Sequence, residues 1–288
     1  MTYNLILGDR AYSSWSLRGW LLFEKFNLPF KQRFVDFDSQ DVGDQMAEFY
    51  PARTVPTMIA PDGAVVWDSL AIAEELASRH PDAGIWPTDP SARAMARNLA
   101  AEMHSGYGAL RGACPMNMRC AYTSFVPSDA VKADVARIEQ VWTHALEKFG
   151  GPWLCGDYSA ADVCFAPVAA RFAGYGLTVS GLAKTYLDTQ LADPAFRRWR
   201  AMSLVKGPDL PWYARDYDQG TWPGPAPLPA KRVETGPSEN AQCPYSSDPV
   251  AHFMEMDGRI FGFCNEFCRN KTVPDPAAWP AFMAIYQS

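Results

Sequence analysis

Apolar residues recur along this chain with two different periods, and the pattern changes near residue 90. Residues 3–7 (YNLIL) form a short apolar run of strand type. Over residues 17–26 the spacing turns helical, with Leu17, Leu21, Glu24 and Leu28 on one side. Residues 30–37 fit a second strand. Thr57 to Ala60 and Ala64 to Trp67 then flank Pro61-Asp62-Gly63, the residue types a hairpin loop uses. Helical spacing resumes at Ser69. The predicted order is βαβ followed by ββα, an α/β domain.

After Pro90 the signal is helical alone, which marks a second domain. Ala92, Met95, Leu99, Met103, Gly106 and Leu110 are spaced by threes and fours, and so are Val131, Val135, Ile138, Trp142, Ala145 and Phe149. Each set reads as one face of a long amphipathic helix. Ser159-Ala160-Ala161-Asp162 opens a further apolar stretch with the hydroxyl and acid of a capping box. Asp193-Pro194 opens another, with proline at the first helical position. An all-helical bundle of roughly 120 residues is expected. Residues 222–242 are rich in Pro, Gly and Ala and read as a linker.

Whole-chain numbers narrow the function classes. At 288 residues the chain is longer than one typical domain of about 100–200. Its net charge of −6 includes no basic block, so nucleic acid is not an expected partner. No cationic segment precedes an apolar run, and no apolar stretch nears the roughly 18–20 residues that span a bilayer. No membrane partner and a cytoplasmic location are expected. Seven cysteines are present, none before Cys114 and three within the last fifty residues. Reduced thiols fit that distribution better than a disulfide framework.

Candidate chemistry begins at residues 12–20, YSSWSLRGW, a serine-rich turn between the first strand and the first helix. A helix starting on hydroxyls gathers free N–H groups around one point, which suits an anion or a thiolate. Further on stand Thr54-Val55-Pro56-Thr57 and Trp67-Asp68-Ser69-Leu70-Ala71-Ile72. Together the three stretches resemble the glutathione-binding half of a serine-type cytosolic glutathione transferase. Ser13-Ser14-Trp15-Ser16-Leu17-Arg18 matches the S-S-x-S-x-R motif of the zeta and related bacterial classes. The βαβ, ββα order is that of a thioredoxin-like fold, although the pattern alone also admits other small α/β domains.

The resemblance covers about residues 1–210, and it implies roles. Ser13 is the catalytic hydroxyl that donates to the glutathione sulfur, with Ser14 and Ser16 in the glutathione-binding set. Val55 pairs its backbone with the cysteinyl part of glutathione, ahead of a cis Pro56. Asp68 faces the γ-glutamyl ammonium, Ser69 holds its carboxylate, and Arg53 is the candidate for the glycyl carboxylate. Glutathione is then the co-substrate, and its thiolate attacks a hydrophobic electrophile in a detoxifying transfer. Met116, Met118 and Tyr122 are candidates for the second subsite. A homodimer is implied as well. The Ser159–Asp162 box is a folding element in this family. The chain departs from the zeta pattern at Trp15, where that class carries cysteine, which counts against maleylacetoacetate isomerase and against thiol–disulfide exchange.

The tail carries Cys243-Pro244-Tyr245-Ser246, then Asp257-Gly258-Arg259, then Phe263-Cys264-Asn265-Glu266-Phe267-Cys268. It resembles a YHS or TRASH-type metal-binding module, whose soft thiolates suit zinc. The resemblance makes Cys243, Cys264 and Cys268 the candidate ligands. Ser246 stands where such modules carry a fourth ligand, and His252 and water are the candidates to replace it. A tail packed by Phe261, Phe263, Trp279 and Phe282 around three reduced thiols is the alternative. The expected layout is therefore a thioredoxin-like domain (1–82), an all-helical domain (88–215), a linker (216–242) and a small cysteine-bearing module (243–288). Two other functions stay open at this point: a non-catalytic glutathione-fold binding protein, and a metal sensor or carrier.

Overall fold

The computed structural model describes residues 2–38, 41–205, 207 and 209–288. The chain divides into two units, Met1–Leu191 with Pro208–Gly224, and Ala192–Gly207 with Pro225–Ser288.

In the first unit, strand β1 (Tyr3–Leu7) leads through a loop into helix α1 (Ser14–Glu24), followed by β2 (Phe30–Phe34), a short α2 (Val42–Met46), the hairpin β3 (Thr57–Ile59) and β4 (Val65–Trp67), and α3 (Ser69–Arg79). The sheet order is β2-β1-β3-β4, with β1 and β2 parallel and the other pairs antiparallel. This is the expected thioredoxin-like arrangement. The second strand ends at Phe34, three residues short of the expected run.

The helical layer of this unit holds α4 (Pro90–Ser105), α5 (Gly108–Ala113), a strand β5 (Ala121–Tyr122), α6 (Asp129–Phe149), α7 (Ala160–Tyr175) and α8 (Gly181–Ala192); β5 pairs with β6 (Gln219–Gly220). The apolar series through Leu110 is two helices, not one. The chain leaves the helix at Gly106, where a Cβ would lie 2.6 Å from the Glu102 carbonyl oxygen, and Tyr107 turns left-handed at φ 56°. Apart from Asp162 and Arg171, helix α7 is apolar all round, and every one of its residues is buried, as a helix at the centre of a bundle must be. It packs against both α1 and α4, so the start of α1 is held against the helical layer.

In the second unit, α9 (Pro194–Ser203) groups with the C-terminal residues. These comprise β7 (Lys231–Val233), β8 (His252–Met256), β9 (Arg259–Phe263), α10 (Glu266–Thr272) and α11 (Pro280–Tyr286). Strands β7, β8 and β9 form an antiparallel sheet. The β8–β9 turn is the Asp257-Gly258 pair, with φ 51° and 74° as a two-residue hairpin turn requires. Arg197 on α9 makes a two-pronged ion pair with Asp275 at 2.8 and 2.6 Å, both side chains largely buried. Within the Pro-rich stretch read as linker, Lys231–Val233 is an edge strand of this sheet, because its neighbour β8 offers an unpaired row of backbone groups.

Candidate functional site

Asp9 shapes the loop before α1 by accepting the N–H groups of Ala11 (2.7 Å) and Tyr12 (3.2 Å). Ser13 caps the helix: its Oγ accepts the Ser16 N–H at 3.2 Å and donates to Ser16 Oγ at 2.8 Å. Ser16 Oγ also accepts the Gly8 N–H at 2.8 Å and is wholly buried. Ser14, first residue of the helix, is half-buried, and its Oγ accepts a hydrogen bond from Arg171 Nη2 at 3.3 Å.

These residues wall a cavity of about 640 Å³. One side is lined by Ser13, Ser14, Trp15, Arg53, Thr54 and Val55, the other by Arg111, Pro115, Met116, Arg171 and Tyr213. The Val55–Pro56 bond is cis, as the sequence led us to expect. Pro56 packs directly on α1 at Gly19, where an added Cβ would come within 2.6 Å of the proline ring, so only glycine lets helix and loop approach so closely. Ser13, Ser14, Arg53 and Val55 thus line one cavity. Ser16 lies beneath it, committed to the backbone of β1's end.

Asp68 and Ser69 are not among the lining residues, and Asp68 connects to the wall at Trp15 through His104. Asp68 caps α3 at φ 79°, a strained region for a residue with a Cβ, and its Oδ1 accepts the Leu70 N–H at 2.8 Å. Its Oδ2 meets His104 Nε2 at 3.2 Å, and the His104 ring stands edge-on to Trp15 at 5.2 Å. Ser69 is 3 % exposed, and its hydroxyl has no partner among the described residues. A buried orphan donor beside a strained cap fits a group awaiting a ligand.

Electrostatics on the far wall come from Arg111 and Arg171, which the sequence reading missed. Arg171 is fixed by the carbonyls of Cys114 (3.0 Å) and Pro167 (3.1 Å), and burial, then Arg18 and Arg111, pull its guanidinium down to about 10. It stays cationic at neutral pH. Burial also lowers fully enclosed Arg18, whose guanidinium lies 4.5 Å from the Trp15 ring, with Arg111 5.1 Å from the same ring. One signal was available: apart from Asp162 in the first turn, Arg171 is the one charge in the otherwise apolar stretch of α7, and such charges are rarely buried without a task. Of the methionine and tyrosine candidates, Met116 lines the cavity, while Met118 and Tyr122 are buried in packing. The nearby Cys114 thiol is pushed up to about 12 by burial, which disfavours its thiolate.

In the second unit the sulfurs of Cys243, Cys264 and Cys268 all lie within 4.8 Å of one another. Cys264 and Cys268 are 3.8 Å apart, and Ser246 Oγ and Asn265 Nδ2 each donate to the Cys264 sulfur at 3.3 Å. Burial alone would raise Cys243, but hydrogen bonds from the Cys264 and Tyr245 backbone bring it below the usual thiol value. Burial pushes Cys268 up to about 12. His252 stands outside the group. None of the seven cysteines forms a disulfide.

Residues 12–79 match the family described as the N-terminal domain of glutathione S-transferase. A probable maleylacetoacetate isomerase of Caenorhabditis elegans is 37% identical over 190 residues, spanning 65% of this chain and 87% of that protein. The maleylacetoacetate isomerase of Dictyostelium discoideum is 29% identical over 164 residues, 54% of this chain and 72% of that one. Among solved structures, a Burkholderia glutathione transferase homologue with bound glutathione has a TM-score of 0.54 at 23% identity, covering 70% of this chain and 98% of its own. That likeness speaks to the fold.

Proposed function

We propose a function from the premise that this chain belongs to the glutathione transferase family: it binds glutathione in the cavity at the start of α1 and directs the thiolate at an electrophile. The observation that carries this reading is the cavity itself, in which the N-terminus of α1, the cis Val55–Pro56 backbone and the cationic Arg171 converge. Such a wall favours a sulfur anion over a neutral thiol. The thiol proton leaves to solvent, the sulfur forms a bond to the electrophilic carbon, and a leaving group departs with the bonding pair.

The electrophile we propose pairs an apolar body with a carboxylate. Pro115, Met116 and Tyr213 supply the apolar surface, while Arg111 and Arg171 supply positive charge. The arginine pair also supports a second reading, isomerisation of an unsaturated acid, in which the same thiolate adds to a double bond and is expelled after rotation. The relatives' names favour it; Trp15 in place of the zeta cysteine argues against it. Incubation with an aryl halide and, separately, with a cis-enoate separates the readings, since only the first consumes glutathione. Calorimetry tests the site. Ser69→Ala is expected to weaken glutathione binding several-fold by removing a donor to a carboxylate, and unchanged affinity would move the γ-glutamyl end elsewhere.

Dimerisation and a cytoplasmic location belong to the same proposal. Among the described residues no helix is long and apolar enough to cross a membrane. Tyr50 is 76 % exposed, and a groove of about 440 Å³ runs along α4 and α6 past Met95, Leu99 and Val141; both support a two-fold partner. Sedimentation is expected to give twice the 31.9 kDa chain mass.

For the tail we propose a zinc site held by Cys243, Cys264 and Cys268, with a fourth ligand from outside this group. Thiolates about 2.3 Å from tetrahedral zinc stand roughly 3.8 Å apart, and the Cys264–Cys268 separation of 3.8 Å supports the fit. Bound metal would hold the tail together and lower all three thiols. Stoichiometric zinc in the purified protein, lost in Cys243→Ser, is the expected result. Three titratable thiols with no metal uptake would leave the packed reduced tail.

A further inference from the structure

We propose that the tail cysteines form a thiol–disulfide switch, in which a small disulfide oxidises Cys264 and Cys268 to an intramolecular disulfide and so dismantles the three-sulfur cluster. This goes beyond the zinc reading and stands apart from what occupies the cavity of the first unit.

Three separate pieces of chain bring the sulfurs together. Cys243 sits in a tight turn, its N–H on the Asp248 carbonyl at 2.8 Å and its own carbonyl accepting the Ser247 N–H at 3.0 Å. Cys264 follows the last residue of β9, and Cys268 lies in the first turn of α10. Tyr245 ties the turn to both elements: its ring stacks on Phe263, and its hydroxyl meets Thr272 Oγ1 at 2.5 Å, which in turn donates to the Cys268 carbonyl at 2.8 Å. The cluster is asymmetric in the way stepwise exchange requires. Cys243 and Cys268 are 2 % and 8 % exposed and are closed to a molecule the size of a peptide disulfide. Cys264 is half-buried and flanked by exposed Ser246, Asn265 and Glu266. Asn265 holds the pair in line, its Oδ1 accepting the Cys268 N–H at 2.9 Å and its Nδ2 donating to Cys264 Sγ at 3.3 Å.

The exposed sulfur therefore reacts first and a buried neighbour completes the exchange. The Cys264 thiol, its proton passing to solvent, attacks one sulfur of the small disulfide; that S–S bond breaks and the first small thiolate leaves with the bonding pair. The Cys268 thiol, its proton likewise passing to solvent, attacks the Cys264 sulfur of the mixed disulfide and expels the second small thiolate. The 3.8 Å between the two sulfurs must close by about 1.8 Å to reach an S–S bond, a movement open to Cys264 because it precedes the helix. Two cysteines are oxidised, and one disulfide is reduced to two thiols. Cys243 is then left as a single thiol, too few to hold zinc, so a loaded cluster releases its ion. Excess small thiol reverses both steps, and the tail follows the disulfide-to-thiol ratio of the small-thiol pool.

The probe is glutathione disulfide, applied to the full-length wild-type protein in a series of glutathione and glutathione disulfide buffers, with free thiols blocked and peptides read by mass spectrometry. Cys120, the other half-buried cysteine, is the internal reference. A disulfide between Cys264 and Cys268 is expected at a disulfide-to-thiol ratio at least about tenfold below the one that attaches glutathione to Cys120, because a neighbouring thiol acts at an effective concentration of about millimolar or more. Replacing both resolving thiols, Cys243→Ser with Cys268→Ser, traps one glutathione on Cys264. Zinc, where the purified protein carries it, appears in a chromogenic chelator in step with the oxidation. Tail thiols that stay free, or that take up glutathione no sooner than Cys120, would overturn the proposal, and a Cys243–Cys264 link in the wild-type protein would overturn the assigned pair. Purified protein without zinc would refute the metal reading alone, since the exchange needs only the thiols.

Discussion

Helices α1 and α7 start from nearly the same four residues, S-x-x-S and S-x-x-D, and end in opposite states. At α7 the acid at the third position takes everything on offer: N–H groups of Leu154 and Ser159, and hydroxyls of Ser159 and Tyr186, at 2.8 to 3.2 Å. The positive end of that helix is answered from within the chain, and the site is sealed. At α1 the third residue is a neutral serine. It completes the cap's geometry without adding a negative charge, so the helix end still favours an anion and faces a cavity that admits one. A capping box closed by an acid is scaffold. A helix start capped by hydroxyls, without an acid, keeps its field available to a ligand.

Breaking the sealed start should cost the most. Asp162→Ala strands at least four donors in a fully buried place, and a loss of about 3 kcal/mol or more is expected in urea unfolding. The same carboxyl sharpens the comparison through pH. Burial raises it to about 6 against the hydrogen bonds that lower it. The folded state therefore holds its proton more tightly than the unfolded one, a contribution fully present below about pH 4 and lost as pH rises through 6. The wild-type protein should lose stability relative to Asp162→Asn across that window, and parallel curves would show that the carboxyl is ionised in both states.

Ser16→Ala ranks next, at about 1–2 kcal/mol, because it removes the acceptor of the Gly8 N–H from a buried position. It also frees the Ser13 hydrogen. A bound thiol pKa that falls in this variant would show Ser13 redirected to the sulfur once its internal partner is gone. Smallest are the caps themselves: Ser13→Ala and Ser159→Ala should each cost about 1 kcal/mol, near-equal values being the mark of a shared role. A far larger catalytic than structural effect at Ser13 would end the analogy.

Local signals were legible from the chain because their physics spans one turn. Ser13, Ser159 and Asp193 before Pro194 announce helix starts, and each caps its helix with its own side chain. Asp257-Gly258 announces a hairpin, since those residues tolerate positive φ. The order of strands and helices likewise follows from periodicity, and it sufficed to indicate an α/β sheet followed by helices. The different hydrogen-bond partners of the adjacent Ser13 and Ser14 were not legible. Both stand in the same motif, and what separates them is Arg171, 157 residues away. Nor did the chain announce that α9 groups with the tail, or that Lys231–Val233 completes its sheet. Capping, turn formation and periodicity depend on neighbours along the chain, so sequence determines them; which buried charge faces which hydroxyl depends on the packing of α7 against α1, and only the tertiary structure decides it.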